Sequence, residues 1–195
     1  MNSRSPYDAF DDPYCYNGSF VLKNQFDLRD ASQLEALEVE MVAARGEETL
    51  PLGSFDPHHY CAIHRHLFQD VYDWAGEYRT VRIAKGGAMF CYPEHISEQM
   101  ELLFASLKTA PFMGGATAET FVTSAARFLA ELNAIHPFRE GNGRTQLSFL
   151  FLLGHRAGYP LDMARIRPAP MLAAMIASFD GKLVPLEIEI TALLT

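Results

Sequence analysis

The stretch His136–Gly143 interrupts two strongly apolar helical patterns, and that break constrains the fold more than any other feature of the chain. Before it, Phe121, Ala125, Phe128, Leu132 and Ile135 recur at helical spacing from about Thr117. After it, an apolar helix is predicted from about Asn142 to Ala157, where Gly158 and Pro160 stop it. The stretch between them is too rich in glycine and polar residues to continue either helix. Two helices that each bury a wide apolar face therefore hold a short polar loop rigidly at their junction.

The remaining pattern is also mainly helical. Asp30 and Gln33 form a capping box ahead of Leu34, Leu37, Met41 and Ala44, and this helix is expected to end near Gly46. Asp56-Pro57 pairs an N-cap with proline at the first helical position, followed by Tyr60, Ile63, Leu67 and Val71 on one face. Trp74-Ala75-Gly76 is expected to end that helix. Thr80–Tyr92 differs in kind: Val81 and Ile83 alternate with Arg82, and Gly86-Gly87 marks a turn, so it reads as a β-hairpin. Pro93 opens a helix with Ile96, Met100, Leu103 and Leu107 inward, and Met113–Ala116 is a glycine-rich connector. Two more helices are predicted near Ala169–Phe179 and Pro185–Leu193. Residues 1–26 read as irregular, with Tyr14, Tyr16 and Phe20 expected to pack on a body formed by residues 27–195. The fold class is mainly α, a single domain with one hairpin.

Composition excludes several functions. The 195 residues are 49% apolar, enough for a sizeable core. The net charge is −8, and residues 1–60 hold 11 acids against 4 bases. A nucleic-acid binder usually carries the opposite sign, so none is expected as a partner. The acidic part reads as solvated surface, with a basic partner as the alternative. No apolar run reaches the ~18 residues of a membrane span, and the polar N-terminus carries no secretory signal. The odd, widely spaced Cys15, Cys61 and Cys91 give neither a disulfide framework nor a zinc site and suit a reducing, cytoplasmic compartment. His58, His59, His64 and His66 read as core or surface histidines, and Trp74 reads as packing. His64 and His66 are two apart on a helix, so they cannot chelate as a pair four apart would.

The loop holds the chemistry. Gly141 and Gly143 let the backbone approach a ligand closely. Asn142 and Gly143 open the second helix, where unpaired N–H groups and the dipole favour an anion. Arg144 adds a planar fork of donors suited to phosphate. Glu140 is a hard oxygen ligand suited to Mg²⁺, and His136 can take a proton near neutral pH. Together these parts suit a Mg²⁺-bound triphosphate and an activated hydroxyl, the requirements of phosphoryl or nucleotidyl transfer.

The string HPFREGNGRTQL closely resembles the signature of the Fic family, with His136, Phe138, Glu140, Gly141, Asn142, Gly143 and Arg144 all matching. FVLKNQFDLRD, Ile63–Val81 and Ala84–Ile96 also look like family segments. The resemblance implies a helical core with a hairpin flap over the active site, spanning residues 80–92. It implies that His136 deprotonates a Tyr, Ser or Thr hydroxyl of a target protein, which attacks the α-phosphate of ATP. Glu140 would hold Mg²⁺, Gly141, Asn142, Gly143 and Arg144 would bind the nucleotide, and Phe138 would anchor the loop. Lys85, Gly86 and Gly87 of the flap would position the target by strand pairing.

One position departs from the family pattern: Leu147 stands where the motif closes on an arginine that helps hold the γ-phosphate. Lys85 and Arg139 are the cations left to take its place. Transfer of another nucleotide or of a phosphoryl group, or a degenerate binding role, are the alternatives that Leu147 keeps open. Gly143 argues against the kinase-like Doc subgroup, which has lysine there. The family's internal inhibitory sequence, Ser or Thr, three residues, Glu, then Gly or Asn, is not recognisable in this chain. The resemblance therefore points to the toxin-like branch restrained by a separate small helical antitoxin.

Overall fold

The computed structural model describes residues 12–85, 87–109 and 117–195. The expected connector Met113–Ala116 and Gly86 lie outside the described residues. The elements run α1 (Ala31–Gly46), α2 (Pro57–Phe68), β1 (Ala84–Lys85), β2 (Ala88–Met89), α3 (Pro93–Thr109), α4 (Ala118–Ile135), α5 (Asn142–Ala157), a 3₁₀ turn (Met163–Arg165), α6 (Pro168–Phe179) and α7 (Val184–Leu193). The mainly helical expectation holds.

Local chemistry sets the helix starts. Asp30 accepts from the amides of Ser32 and Gln33, Asp56 from that of His59, and Thr117 from that of Thr120, so each side chain satisfies donors that the first turn leaves unpaired. Gly158, in the left-handed region at φ +83°, ends α5. α4 is the central element and packs against α3, α5, α6 and α7. Its inward residues Phe121, Ala125, Phe128, Leu132 and Ile135 are all buried. Tyr60, Phe104, Phe128, Phe138 and Phe149 form a ring cluster where α2, α3, α4 and α5 meet, with centroids 5.2–5.7 Å apart. The apex of the active loop is thus built into the core.

Several expectations need correction. The hairpin is short, with Ala84 opposite Met89 and Lys85 opposite Ala88. The reason lies at Arg79, whose guanidinium takes the carbonyls of Val81 and Cys91 at 2.6 Å each. Those acceptors are therefore engaged on both arms below β1 and β2. α2 ends at Phe68 rather than at Trp74–Gly76, because residues 69–76 fold into successive turns. On α1 the buried residues are Leu34, Glu38 and Val42, while Ala44 is exposed. Tyr14 and Tyr16 pack against the core, whereas Phe20 is 54% exposed.

Three histidines of α2 hold backbone carbonyls, His59 that of Pro51, His64 that of Glu140 and His66 that of Arg45, while His58 is exposed. The His64 Nδ1 accepts the Gly76 amide at 2.8 Å, which places the proton on Nε2, and Nε2 donates to the Glu140 carbonyl at 3.0 Å. Its ring lies 3.7 Å from Phe138 and 4.7 Å from Phe68. Burial pushes the His64 pKa down from 6.5 to about 3. Above pH 6.5 it is neutral whether folded or unfolded and adds no pH dependence. As pH falls from about 6.5 to 3, the unfolded chain takes up a proton that the folded chain refuses. Stability should therefore fall by up to about 1.4 kcal/mol per pH unit from this group. Urea unfolding between pH 7 and pH 4 checks this. His64→Asn should lower stability at pH 7 and flatten the acid limb by about one proton. An unchanged acid limb would contradict it.

Candidate active site

α4 ends at His136, which sits in the left-handed region at φ 50° and ψ 63° while its amide still bonds Leu132 O. That conformation is costly for a residue with a Cβ, so the surroundings must enforce it. Arg79, 2% exposed, does so: its Nε donates to the His136 carbonyl at 2.8 Å and its Nη2 to the Ile135 carbonyl at 3.2 Å. The Arg79 amide bonds Pro137 O at 2.8 Å, and the Cys91 amide bonds Ala134 O at 3.0 Å. The base of the hairpin is thereby stitched to the end of α4.

The His136 side chain has a defined tautomer. A carbonyl can only accept, so the 3.2 Å contact between Nδ1 and Asn133 O places the proton on Nδ1 and leaves the lone pair on Nε2. The ring stacks on Phe90 at 3.9 Å and 20°. Burial is the main cause that lowers its pKa to about 3, and the charges of Arg79 and Lys85 push the same way. His136 is therefore neutral at pH 7.

Beyond it, Phe138 is fully buried between Tyr60 and His64. Asn142 brackets it: Asn142 Oδ1 accepts the Phe138 amide at 3.0 Å and Nδ2 donates to the Phe138 carbonyl at 2.8 Å. The Asn142 side chain is thus spent inside the loop, and its backbone amide is what it presents at the start of α5. Gly141 has φ +82°, and a Cβ there would meet the Phe68 ring at 2.3 Å, so this position requires glycine. Gly143 is different. It is exposed, and an added Cβ would meet no protein atom within 4 Å. Its openness lies at the N-terminus of α5, where an anion is favoured.

Glu140 lies beside that terminus. Its Oε1 accepts the Gly141 amide at 2.8 Å and lies 3.7 Å from Arg144 Nη2. Burial raises its pKa and the nearby Glu38 adds to the rise; the Gly141 amide, Arg144 and Arg139 oppose it. Arg144 donates to Glu38 Oε1 at 2.5 Å, and its guanidinium lies 4.7 Å over the Phe68 ring. Among the described residues no cluster of three or more His, Cys, Asp or Glu side chains could hold a metal on its own. A single carboxylate at an anion-binding helix start nevertheless fits Mg²⁺, which commonly takes one or two carboxylates and completes its shell with phosphates and water.

The structure brings His136, Phe138, Glu140, Gly141, Asn142, Gly143 and Arg144 together in one loop. Lys85 lies exposed on β1, close enough for its charge to act on His136, and Gly87 turns the hairpin at φ +83°. Arg139 is a correction: it is 1% exposed and paired with Asp12 at 2.7 Å, so it is not placed to replace the missing arginine. Leu147 is half-buried and packs against the main core. Sequence reasoning named His64 without its contact to the loop and missed Arg79, Glu38 and Asp12. His64 and Glu38 left a signal, since each interrupts a buried apolar face. Arg79 and Asp12 left none, because their contacts to the loop join residues 57 and 127 positions apart and neither interrupts an apolar helical face.

Comparison with known proteins agrees with this geometry. The Fic/DOC family model matches residues 54–153. A Sinorhizobium fredii protein named "Probable protein adenylyltransferase y4lH" is 49% identical over 185 residues, 94% of this chain and 96% of that one. The Salmonella typhimurium protein named "Probable protein adenylyltransferase Fic" is 38% identical over 153 residues, 77% of this chain and 76% of that one. The crystal structure of BepC from Bartonella tribocorum, with bound AMPPNP, has a TM-score of 0.84 at 26% identity and covers 93% of this chain and 96% of that one. Motif, near-full-length identity and shared fold lead to one assignment: the chain belongs to the Fic/DOC family.

Proposed function

We propose that this protein transfers AMP from ATP to a Tyr, Ser or Thr hydroxyl of another protein. The observation that carries the reading is the neutral His136, its proton fixed on Nδ1, in the loop that leads directly into the open N-terminus of α5. The names of the relatives and the AMPPNP bound to BepC support it.

In this reading His136 Nε2 accepts the proton of the target hydroxyl. The hydroxyl oxygen attacks the α-phosphorus, a phosphate ester forms, and the bond to the β-phosphate breaks. Pyrophosphate leaves with that electron pair, and the imidazolium returns its proton to solvent. The amides of Asn142 and Gly143 neutralise the developing charge. Arg144 orients the phosphate tail. Glu140 would hold Mg²⁺, which when bound supplies positive charge to the polyphosphate. A base of pKa about 3 is always ready but weakly basic. The triphosphate itself corrects this, since its negative charge offsets Arg79 and Lys85 and raises the affinity of His136 for the proton.

A separate small helical antitoxin chain is the restraining partner in this reading, supported by the lack of an internal inhibitory sequence. The unpaired thiols of Cys15, Cys61 and Cys91 support a cytoplasmic site of action.

His136→Ala should slow transfer of label from α-labelled ATP by roughly 10²–10⁴-fold. Its melting temperature should fall little, because it removes one ring and keeps the turn. Transfer at the wild-type rate would refute the base assignment. Leu147 leaves the outer phosphates without the cation that the family pattern supplies. Leu147→Arg should tighten ATP binding by roughly 10–100-fold, the value of a charge-assisted contact. Calorimetric titration and a melting curve on both proteins check this. Unchanged binding with a large drop in melting temperature would show that position 147 serves packing alone.

A further inference from the structure

Glu38 lies in α1, outside the residues that match the family model, and no role has been given to it above. It is 8% exposed, in line with Leu34 and Val42 on the buried face of the helix. A buried carboxylate is costly unless it is paired, and an apolar residue of similar size often serves a fold as well or better. Glu38 is paired twice. One oxygen accepts the Tyr72 hydroxyl, whose ring is stacked on Trp74 at 4.4 Å. The other accepts Arg144 Nη2 at 2.5 Å. The acid is thus held by a rigid aromatic stack on one side and grips the loop arginine on the other.

We propose that Glu38 is a positioning residue that holds the Arg144 guanidinium away from Glu140. This rests on the nucleotidyl-transfer reading above. Arg144 Nη2 is 2.5 Å from Glu38 and 3.7 Å from Glu140, so the two carboxylates compete for one guanidinium and Glu38 wins. Contact with Glu38 occupies one end of the fork, and the guanidinium carbon lies 4.7 Å over the Phe68 ring. The Nε and Nη1 donors make no hydrogen bond to the described residues and remain for the phosphate tail. Without Glu38, the nearest acid for Arg144 is Glu140. A guanidinium collapsed onto Glu140 would block the carboxylate that fits Mg²⁺.

The test uses the full chain and two variants. Glu38→Gln keeps the shape and removes the charge that competes for Arg144. Tyr72→Phe keeps the aromatic stack and the charge and removes one hydroxyl. ATP binding is measured by calorimetry in EDTA and in excess Mg²⁺, alongside melting temperature and transfer from α-labelled ATP. For Glu38→Gln, binding in EDTA should stay within about threefold of wild type, while its enhancement by Mg²⁺ and the transfer rate should each fall about tenfold, the change expected from misplacing one charge-assisted contact. Tyr72→Phe should keep the Mg²⁺ enhancement even if it melts lower. Equal losses in both variants that track melting temperature would overturn the proposal in favour of a packing role. A faster Glu38→Gln enzyme would overturn it in favour of a brake. If wild type transfers label and Glu38→Gln matches it throughout, this proposal alone fails; if wild type neither binds ATP nor transfers label, the functional reading fails with it.

Discussion

The active loop is a buried irregular segment, and every backbone polar group in such a segment needs a partner. Three buried side chains meet that demand. Arg79 answers the carbonyls of Ile135 and His136, His64 answers that of Glu140, and Asn142 answers both groups of Phe138. None of the three needs to touch substrate to do this. They hold the chain through the left-handed turn at His136 and the one at Gly141, which carry it from the end of α4 to the start of α5. The fold around them, with Phe138 locked into a ring cluster, gives that arrangement a rigid foundation.

Electrostatics then tunes what the backbone has placed. The acids of the first 60 residues read from the sequence as a solvated surface, and among the described residues Asp12 and Glu38 depart from that reading. Asp12 and Glu38 turn inward and hold Arg139 and Arg144, the two arginines of the loop. The first pair removes Arg139 from phosphate binding and ties the N-terminal segment to the site. The second leaves the Arg144 side chain 35% exposed. Burial holds the His136 pKa low, and the positive charges of Arg79 and Lys85 push the same way. The charges around the loop are therefore drawn from four parts of the chain.

Much of this was legible in the sequence, for local reasons. Apolar periodicity located α4 and α5, and Asp30, Asp56 and Gly158 marked helix ends, because these signals act within a few residues. The motif placed His136, Glu140 and Arg144 in one loop for the same reason. The supporting contacts were not legible, since they join residues 57, 76, 106 and 127 positions apart. Alternation of Val81 and Ile83 suggested a longer hairpin than exists, because nothing local reveals that Arg79 will claim the carbonyls of Val81 and Cys91. The buried face of α1 was likewise misplaced at Ala44, since the acid that centres it, Glu38, is buried by a partner that lies beyond the reach of pattern reading.

The central claim is that the loop transfers the α-phosphate end of its nucleotide. The direct measurement is to incubate the protein with a cell lysate and ATP labelled either at the α- or at the γ-phosphate, then to follow label on protein. The account predicts covalent label from α-labelled ATP and none from γ-labelled ATP beyond a control lacking the protein. Label from the γ-position alone would make the protein a phosphoryl-transferring relative and contradict the account.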